Sequence, residues 1–508
     1  MPPPSPLAVD GRSLDLVRFG EAVLGGRPVA LEDAARLRVR AARAAIERAA
    51  AGGRPVYGVN TGFGNLAEIE IPRSDLETLQ LRLVLSHAAG VGEPLGEPEV
   101  RGMLLLRAAT LACGHSGVRE TVIDRLLELL NLGIHPIVPS RGSVGASGDL
   151  APLAHLALAL IGRGEVTFKG RRLPAAAALG ACGLAPLVLA AREGLGLING
   201  TQAMTSLLAL TALEARRLVR AADLVGALSC DAFRGTDAAF DARIHAARPH
   251  PGQGASADNL RRLMHGSAIR ESHRVDDVRV QDPYSFRCMP QVHGAVRDVL
   301  ADVERKLNVE MNSATDNPLV FAESDSSLSG GNFHGQPIAF AADFLAIALA
   351  ELGAISERRT EKLTNAAFSS LPPFLVENAG LNSGFMLAQV TAAALVSENK
   401  TLAHPASVDS IPTSADKEDH VSMGMWAALK ARQVAANVRC VLAIELLAAA
   451  QGIDLLRPLR TSAPLEALHA AVRERVPKWE DDREMAPDLA AAEAFLGDEV
   501  DEHLERLS

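Results

Sequence analysis

Apolar residues recur at three- and four-residue spacing through five long stretches, about 202–230, 290–312, 335–365, 384–404 and 419–454. That period is one face of an α-helix, and alanine, leucine, glutamate and arginine, all good helix formers, fill the chain between the periodic positions. Several of these helices exceed the average of about twelve residues, and helices of that length pack as a bundle. The intervening segments Gln281 to Arg287, Thr315 to Phe333 and Ser407 to Glu418 carry Asp, Asn, Gly and Pro. They read as loops at bundle ends, where reactive groups can be displayed. Residues 1 to about 200 instead alternate short helices with glycine-rich loops. Strand signals are few; the clearest is Glu165-Val166-Thr167-Phe168 followed by Lys169-Gly170-Arg171, a hairpin turning at the glycine. The pattern predicts a mainly α protein with an N-terminal domain over 1–200 and a helical-bundle domain over 201–508 that ends in an acidic helical tail.

At 508 residues and 48% hydrophobic content the chain has ample material for a sizeable core. The net charge of −10 is concentrated at one end: residues 480 to 508 hold eleven acids against Arg483 and Arg506, and the remainder is nearly neutral. Such a tail reads as a solvated helix face, as do Arg36, Arg38, Arg40 and Arg43, and a nucleic-acid partner has no electrostatic basis. The stretches 150–162 and 338–350 are too short for a membrane span or carry Asp343, and Met1-Pro2-Pro3-Pro4-Ser5-Pro6 lacks the form of a signal peptide, so a cytoplasmic protein with no membrane partner is expected. Cys113, Cys182, Cys230, Cys288 and Cys440 are odd in number and lack Cys-x-x-Cys spacing, which argues for reduced thiols. The histidines show no ligand spacing, and no metal is expected.

The run Gly142-Ser143-Val144-Gly145-Ala146-Ser147-Gly148-Asp149-Leu150 allows several readings. Ser147 or Asp149 can cap a helix whose first turn holds Pro152. A phosphate loop would need a Gly-Lys-Ser/Thr ending, and a hydrolase elbow would need its second glycine one place later. A third chemistry is available to the backbone itself. Glycine allows the sharp turn in which the Gly148 nitrogen reaches the Ala146 carbonyl, and loss of water there and across Ser147 leaves an electrophilic alkylidene imidazolone.

Both tyrosines of the chain lie among turn-formers, Tyr57 in the 57–64 segment and Tyr284 in Gln281-Asp282-Pro283-Tyr284-Ser285-Phe286-Arg287. Each can cap a loop through its hydroxyl or serve chemistry. With Ser86-His87-Ala88-Ala89-Gly90, Ile198-Asn199-Gly200-Thr201-Gln202, Gly330-Gly331-Asn332-Phe333-His334 and Glu418-Asp419-His420-Val421-Ser422-Met423, these blocks make the chain resemble the aromatic amino acid ammonia-lyases from about residue 10 to 460. Within them it is most similar to the compact bacterial histidine ammonia-lyases.

The resemblance implies a C–N lyase that converts L-histidine to trans-urocanate and ammonia, the first step of histidine degradation. It implies the cofactor 4-methylidene-imidazol-5-one (MIO) formed from Ala146, Ser147 and Gly148, with no external cofactor, and a cytoplasmic homotetramer sharing active sites. Tyr57 takes the place of the base that removes the β-hydrogen. Arg287 would grip the substrate carboxylate, Asn199 and Gln281 would hold amine and carboxylate, and Tyr284 would orient cofactor or substrate. Ser86-His87 and Glu418 resemble the histidine enzymes, because a carboxylate suits an imidazole better than a phenyl ring; Phe333 would shape the pocket wall. The alternatives are a tyrosine or phenylalanine ammonia-lyase and an MIO-dependent aminomutase. Asp416-Lys417 departs from the Asn-Gln pair of many histidine enzymes, which places a lysine beside the pocket.

Overall fold

In a computed structural model the five periodic stretches form helices Gln202–Ala232, Met289–Glu310, Gln336–Thr364, Met386–Leu402 and Gly424–Leu455. The structure describes residues 5–51, 58–62, 68–275, 277 and 279–504. Helices Gln202–Ala232 and Gly424–Leu455 are buried over most of their circumference, with Leu208, Val225, Leu228, Val434, Val441 and Ile444 all at 0% exposure. Their apolar positions are buried, as a helix packed on several sides requires. The fold is accordingly mainly α.

Glu165–Phe168 and Arg171–Pro174 pair antiparallel as the sequence predicts, with Ile134–Pro136 added on the other edge of Glu165–Phe168. Three two-stranded ladders go beyond that expectation: Leu7–Val9 with Val29–Leu31, Val91–Pro94 with Pro139–Arg141, and Leu319–Phe321 with Ser326–Leu328. Each strand has only three or four residues, too few to display a period of two.

The chain divides into two units interleaved in sequence. The first comprises 1–210, 303–343 and 405–429, and the second 211–302, 344–404 and 430–508. The 1–200 segment therefore lies wholly in the first unit, while 201–508 is shared by both.

The two charged surfaces are partly solvated, with Arg40 and Asp482 exposed, and also carry specific partners. In the first unit Arg36 makes a fork to Asp124 at 2.7 and 2.8 Å, Arg40 a fork to Glu120 at 2.8 and 2.9 Å, and Arg43 reaches the Ala191 carbonyl at 3.0 Å. In the second unit the acidic tail docks through particular partners. Glu493 binds Arg439 and Asp501 binds Arg217, both at 3.1 Å, and Asp482 accepts the Ser383 and Gly384 amides at the start of Met386–Leu402. Charge composition signals solubility, whereas the matching arginines lie far away in sequence.

The Gln336–Thr364 helix also differs from expectation: it is long and apolar enough by composition to cross a bilayer, although 67% of its apolar window is buried within the protein. Core helices of large folds share that composition.

Candidate active site

Strand Pro139–Arg141 leads into the 142–149 loop, and helix Leu150–Leu160 follows. Gly145 and Gly148 have φ of +68° and +69°. A Cβ on Gly145 would collide with Ser422 Oγ, and one on Gly148 with the Gly200 carbonyl, so both positions require glycine on steric grounds as well as for φ. Gly148 forms a parallel bridge with Gly200, and the Asp149 amide donates to the Gly200 carbonyl at 2.7 Å. The loop is held on its other side by the segment before Gly424. Ser422 Oγ donates to the Gly145 carbonyl at 2.9 Å, and the Met423 amide to the Val144 carbonyl at 2.8 Å. This tether explains why that helix begins at Gly424 and not at 419: Met423 has φ +56°, and the backbone before it serves the loop.

Asp149 occupies the N-cap position of Leu150–Leu160 without capping it. Its fully buried carboxylate instead accepts Ser143 Oγ at 2.8 Å and the Met204 amide at 2.9 Å, with a further bond from the Ala203 amide. The last two donors lie in the first turn of Gln202–Ala232, where amides lack helical partners and the dipole favours an anion. Burial nevertheless prevails and pushes Asp149 up to about 6, against these hydrogen bonds.

Ser147 is half-buried between buried Ala146 and Gly148. Its hydroxyl donates to Glu418 Oε1 at 2.8 Å. Glu418 Oε2 accepts Thr413 Oγ1 at 2.6 Å, and the two residues also exchange backbone bonds across a turn. His87 ends helix Leu76–His87, with Nδ1 3.0 Å from Ser86 Oγ. Burial lowers its pKa, opposed by the Leu83 backbone hydrogen bond and the Glu418 charge, which favours the neutral ring. Asn199, at the C-cap of Glu193–Ile198, is 4% exposed, and its Oδ1 has no hydrogen-bond partner among the described residues. Beneath it fully buried Arg107 donates to the Asn199 carbonyl at 2.7 Å and to Gln202 Oε1 at 2.8 Å, which fixes the backbone that flanks Gly148.

The first unit thus brings together Ala146, Ser147, Gly148, Glu418, His87 and Asn199. Phe333 is half-buried in the turn before Gln336–Thr364, two residues from Gly335, whose amide approaches the Gly145 carbonyl at 3.4 Å. Lys417 is exposed at the turn. Tyr57 lies outside the described residues. Gln281, Tyr284 and Arg287 belong to the second unit. There Phe286, at 0% exposure, stacks on Phe233 with centroids 4.3 Å apart, and this anchor leaves Tyr284 71% exposed with the Arg287 guanidinium 4.7 Å over its ring. Gln281 is exposed as well. No group of three or more His, Cys, Asp or Glu able to hold a metal occurs among the described residues.

A model of the aromatic amino acid lyase family matches residues 14–474. The chain belongs to that family. A histidine ammonia-lyase of Koribacter versatilis (strain Ellin345) is 56% identical to this lyase over 503 residues, spanning 96% of this chain and 97% of the relative. The crystal structure of histidine ammonia-lyase from Trypanosoma cruzi matches with a TM-score of 0.92 at 45% identity, over 99% of this chain and 96% of that one. Tyrosine aminomutase from Streptomyces globisporus matches with a TM-score of 0.94 at 41% identity, over 99% of both. The helical fold is therefore that of the ammonia-lyases and aminomutases, and the shape alone does not separate substrates.

The tripeptide of this lyase fits an MIO group on its own geometry. The glycine sits at positive φ with no space for a side chain, and the hydroxyl to be lost is already held by a carboxylate. Residues that sequence reasoning missed are Ser143, Arg107 and Thr413, while Asp149 carried only the expectation of a cap. A serine or threonine among glycines looks like any turn residue, and Arg107 sits inside a helical period.

Proposed function

We propose that this lyase eliminates ammonia from L-histidine to give trans-urocanate, a first step in histidine degradation, with an MIO group made from Ala146, Ser147 and Gly148. The observation that carries the reading is Glu418: its carboxylate binds the Ser147 hydroxyl and acts electrostatically on His87. A carboxylate at that place accepts the N–H groups of an imidazole, whereas a phenyl ring would leave it unpaired. The histidine ammonia-lyase relatives support the same substrate.

MIO supplies an electrophile that draws electrons from the bound amino acid, easing loss of a weakly acidic β-hydrogen and a poor nitrogen leaving group. The chain's own residues do the rest in this reading. Arg287 pairs with the substrate carboxylate through its planar fork, assisted by Gln281. Asn199 Oδ1, a buried acceptor without a partner among the described residues, receives the amine. Tyr57 removes the β-proton, which requires surroundings that stabilise a phenolate well below its reference pKa of about 10. Neutral His87 and Glu418 bind the ring, Phe333 bounds it, and Tyr284 orients the reacting groups.

A cytoplasmic homotetramer with shared sites completes the reading. Five free cysteines suit a reducing compartment. Exposed Phe340, Phe344 and Ile347 on Gln336–Thr364, with Leu387 and Val390 on Met386–Leu402, suit burial between subunits. Light scattering on the purified protein should give four times the chain mass, and a monomer would remove this part of the reading.

Intact mass and a histidine assay test the whole. The expected mass is lower than the sequence mass by two water molecules, a deficit lost in Ser147→Ala, and L-histidine should give a rising urocanate absorbance while L-tyrosine gives no product. A second reading, an aminomutase, is favoured by the tyrosine aminomutase match; conversion of L-tyrosine to its β-isomer without urocanate from histidine would put it first. Tyr57→Phe and Glu418→Ala should lose most activity without losing the fold, and wild-type turnover in either removes the role given to that residue.

A further inference from the structure

One hydroxyl spans the tripeptide without belonging to it. Ser143 Oγ donates to Asp149 Oδ1 at 2.8 Å and accepts the Gly145 amide at 3.1 Å; the Gly148 carbonyl lies 3.4 Å away. Gly145 immediately precedes Ala146-Ser147-Gly148, and Asp149 immediately follows it. An extended chain would separate residues four apart by roughly 13 Å, so gathering both onto a single oxygen bends the triad back on itself. The far end of this clip is anchored. The other carboxylate oxygen of Asp149 is bound to the Met204 amide, and the Asp149 amide to the Gly200 carbonyl.

We propose that Ser143 is a positioning residue for maturation of the loop, holding Ala146-Ser147-Gly148 folded for backbone cyclisation. The inference rests on the MIO reading above. In the cyclisation a bond forms between the Gly148 nitrogen and the Ala146 carbonyl carbon. The carbonyl oxygen leaves as water with the hydrogens of the Gly148 and Ser147 nitrogens, and a carbon–nitrogen double bond remains at Ala146. A second water takes the Ser147 hydroxyl and the Ser147 Cα hydrogen, which leaves the methylidene. Two waters depart, and no oxidant or reductant is needed. Ring closure within a peptide depends on how much of the time its ends are in register, and a preorganised geometry can raise such rates by orders of magnitude. Ser143 touches none of the atoms that react, so its contribution is to the population of the folded loop.

The test is intact mass of freshly purified protein, followed over time, for wild type, Ser143→Ala, Ser143→Cys and Ser143→Thr. Cysteine keeps the approximate size of serine and replaces a good hydrogen-bonding hydroxyl with a poor one, whereas threonine retains the hydroxyl. In the alanine and cysteine variants the form lacking the two-water deficit should predominate and convert at least tenfold more slowly, with threonine substantially restored. Among partly processed samples kcat should fall in proportion to the processed fraction while KM stays unchanged. Full deficits at wild-type speed in Ser143→Ala or Ser143→Cys would overturn the proposal even if melting temperature falls, since that pattern marks a purely structural hydrogen bond. Failure of both variants to fold would overturn it likewise. A wild-type protein with no deficit would instead remove the MIO reading on which this one stands.

Discussion

Thr413 shows how much of a site can depend on a residue with no chemistry of its own. Its hydroxyl occupies Glu418 Oε2 at 2.6 Å, and its backbone N–H and C=O pair with those of Glu418. Oε1 is thereby left for Ser147 and, in the proposed reaction, for substrate. Ser414, Ala415 and Asp416 all have positive φ in the intervening turn, a conformation non-glycine residues adopt at some cost, so the turn depends on its closing bonds. A hydrogen bond to a charged group contributes about 1.5–3 kcal/mol. Thr413→Val should therefore lower kcat/KM for histidine by roughly tenfold or more, a factor of ten being about 1.4 kcal/mol, with Thr413→Ser close to wild type in steady-state assays. Unchanged kinetics in the valine variant would mean that Glu418 is held by other groups. Ser147, Glu418 and His87 were legible through the motif blocks that carry the family resemblance, Ala146-Ser147-Gly148, Glu418-Asp419-His420 and Ser86-His87. Thr413 and Ser143 were not legible, because their roles depend on a partner oxygen that only the fold brings near. Lys417 is solvent-exposed one position from Glu418.

Helix positions were the most legible elements, since long apolar periods state them directly; helix contacts were not. In the second unit Pro251–Met264 and Met289–Glu310 approach so closely that a Cβ on Gly252 would overlap the Gly294 carbonyl, and a Cβ on Gly294 would overlap the Gln253 backbone. The same crossing lets Asp298 accept the Gly252 amide at 2.9 Å, closing the start of Pro251–Met264. At Gly254, two residues along, an added methyl group would meet no atom within 4 Å among the described residues, and φ is not positive. Gly294 and Gly254 should therefore respond oppositely to alanine. Gly294→Ala forces backbone apart and should cost about 1–3 kcal/mol or more, as overpacking does. Gly254→Ala removes unfolded-chain freedom and should add about 0.4–1 kcal/mol. Chemical denaturation of both variants checks the pair, and equal destabilisation would show that the helix crossing does not decide the outcome. Glycine counts in a sequence cannot separate these cases.

At the scale of the molecule, the division into interleaved units was hidden because it depends on which helices share a core, and a period names only that each helix has a buried face. The second unit also buries charge, which composition gives no reason to expect. Glu445 on Gly424–Leu455, at 0% exposure, accepts Ser229 Oγ at 2.6 Å, Ser356 Oγ at 2.6 Å, and Arg359 through both Nε at 2.5 Å and Nη2 at 2.8 Å. One carboxylate thus joins three of the long helices: Gln202–Ala232, Gln336–Thr364 and Gly424–Leu455. The attraction in a buried pair is offset by the cost of removing both ions from water, so such a pair adds little net stability against an apolar replacement. Removing one ion is different, because the other remains buried without its counter-charge. Arg359→Met should destabilise the protein by about 3–5 kcal/mol. Adding Glu445→Leu to Arg359→Met should recover much of that loss, although the Ser229 and Ser356 hydroxyls then lose their acceptor. Denaturant unfolding of the two single variants and the double variant closes the cycle. Additive losses would mean that the carboxylate is satisfied without the guanidinium, and that the three helices are held in register by packing alone.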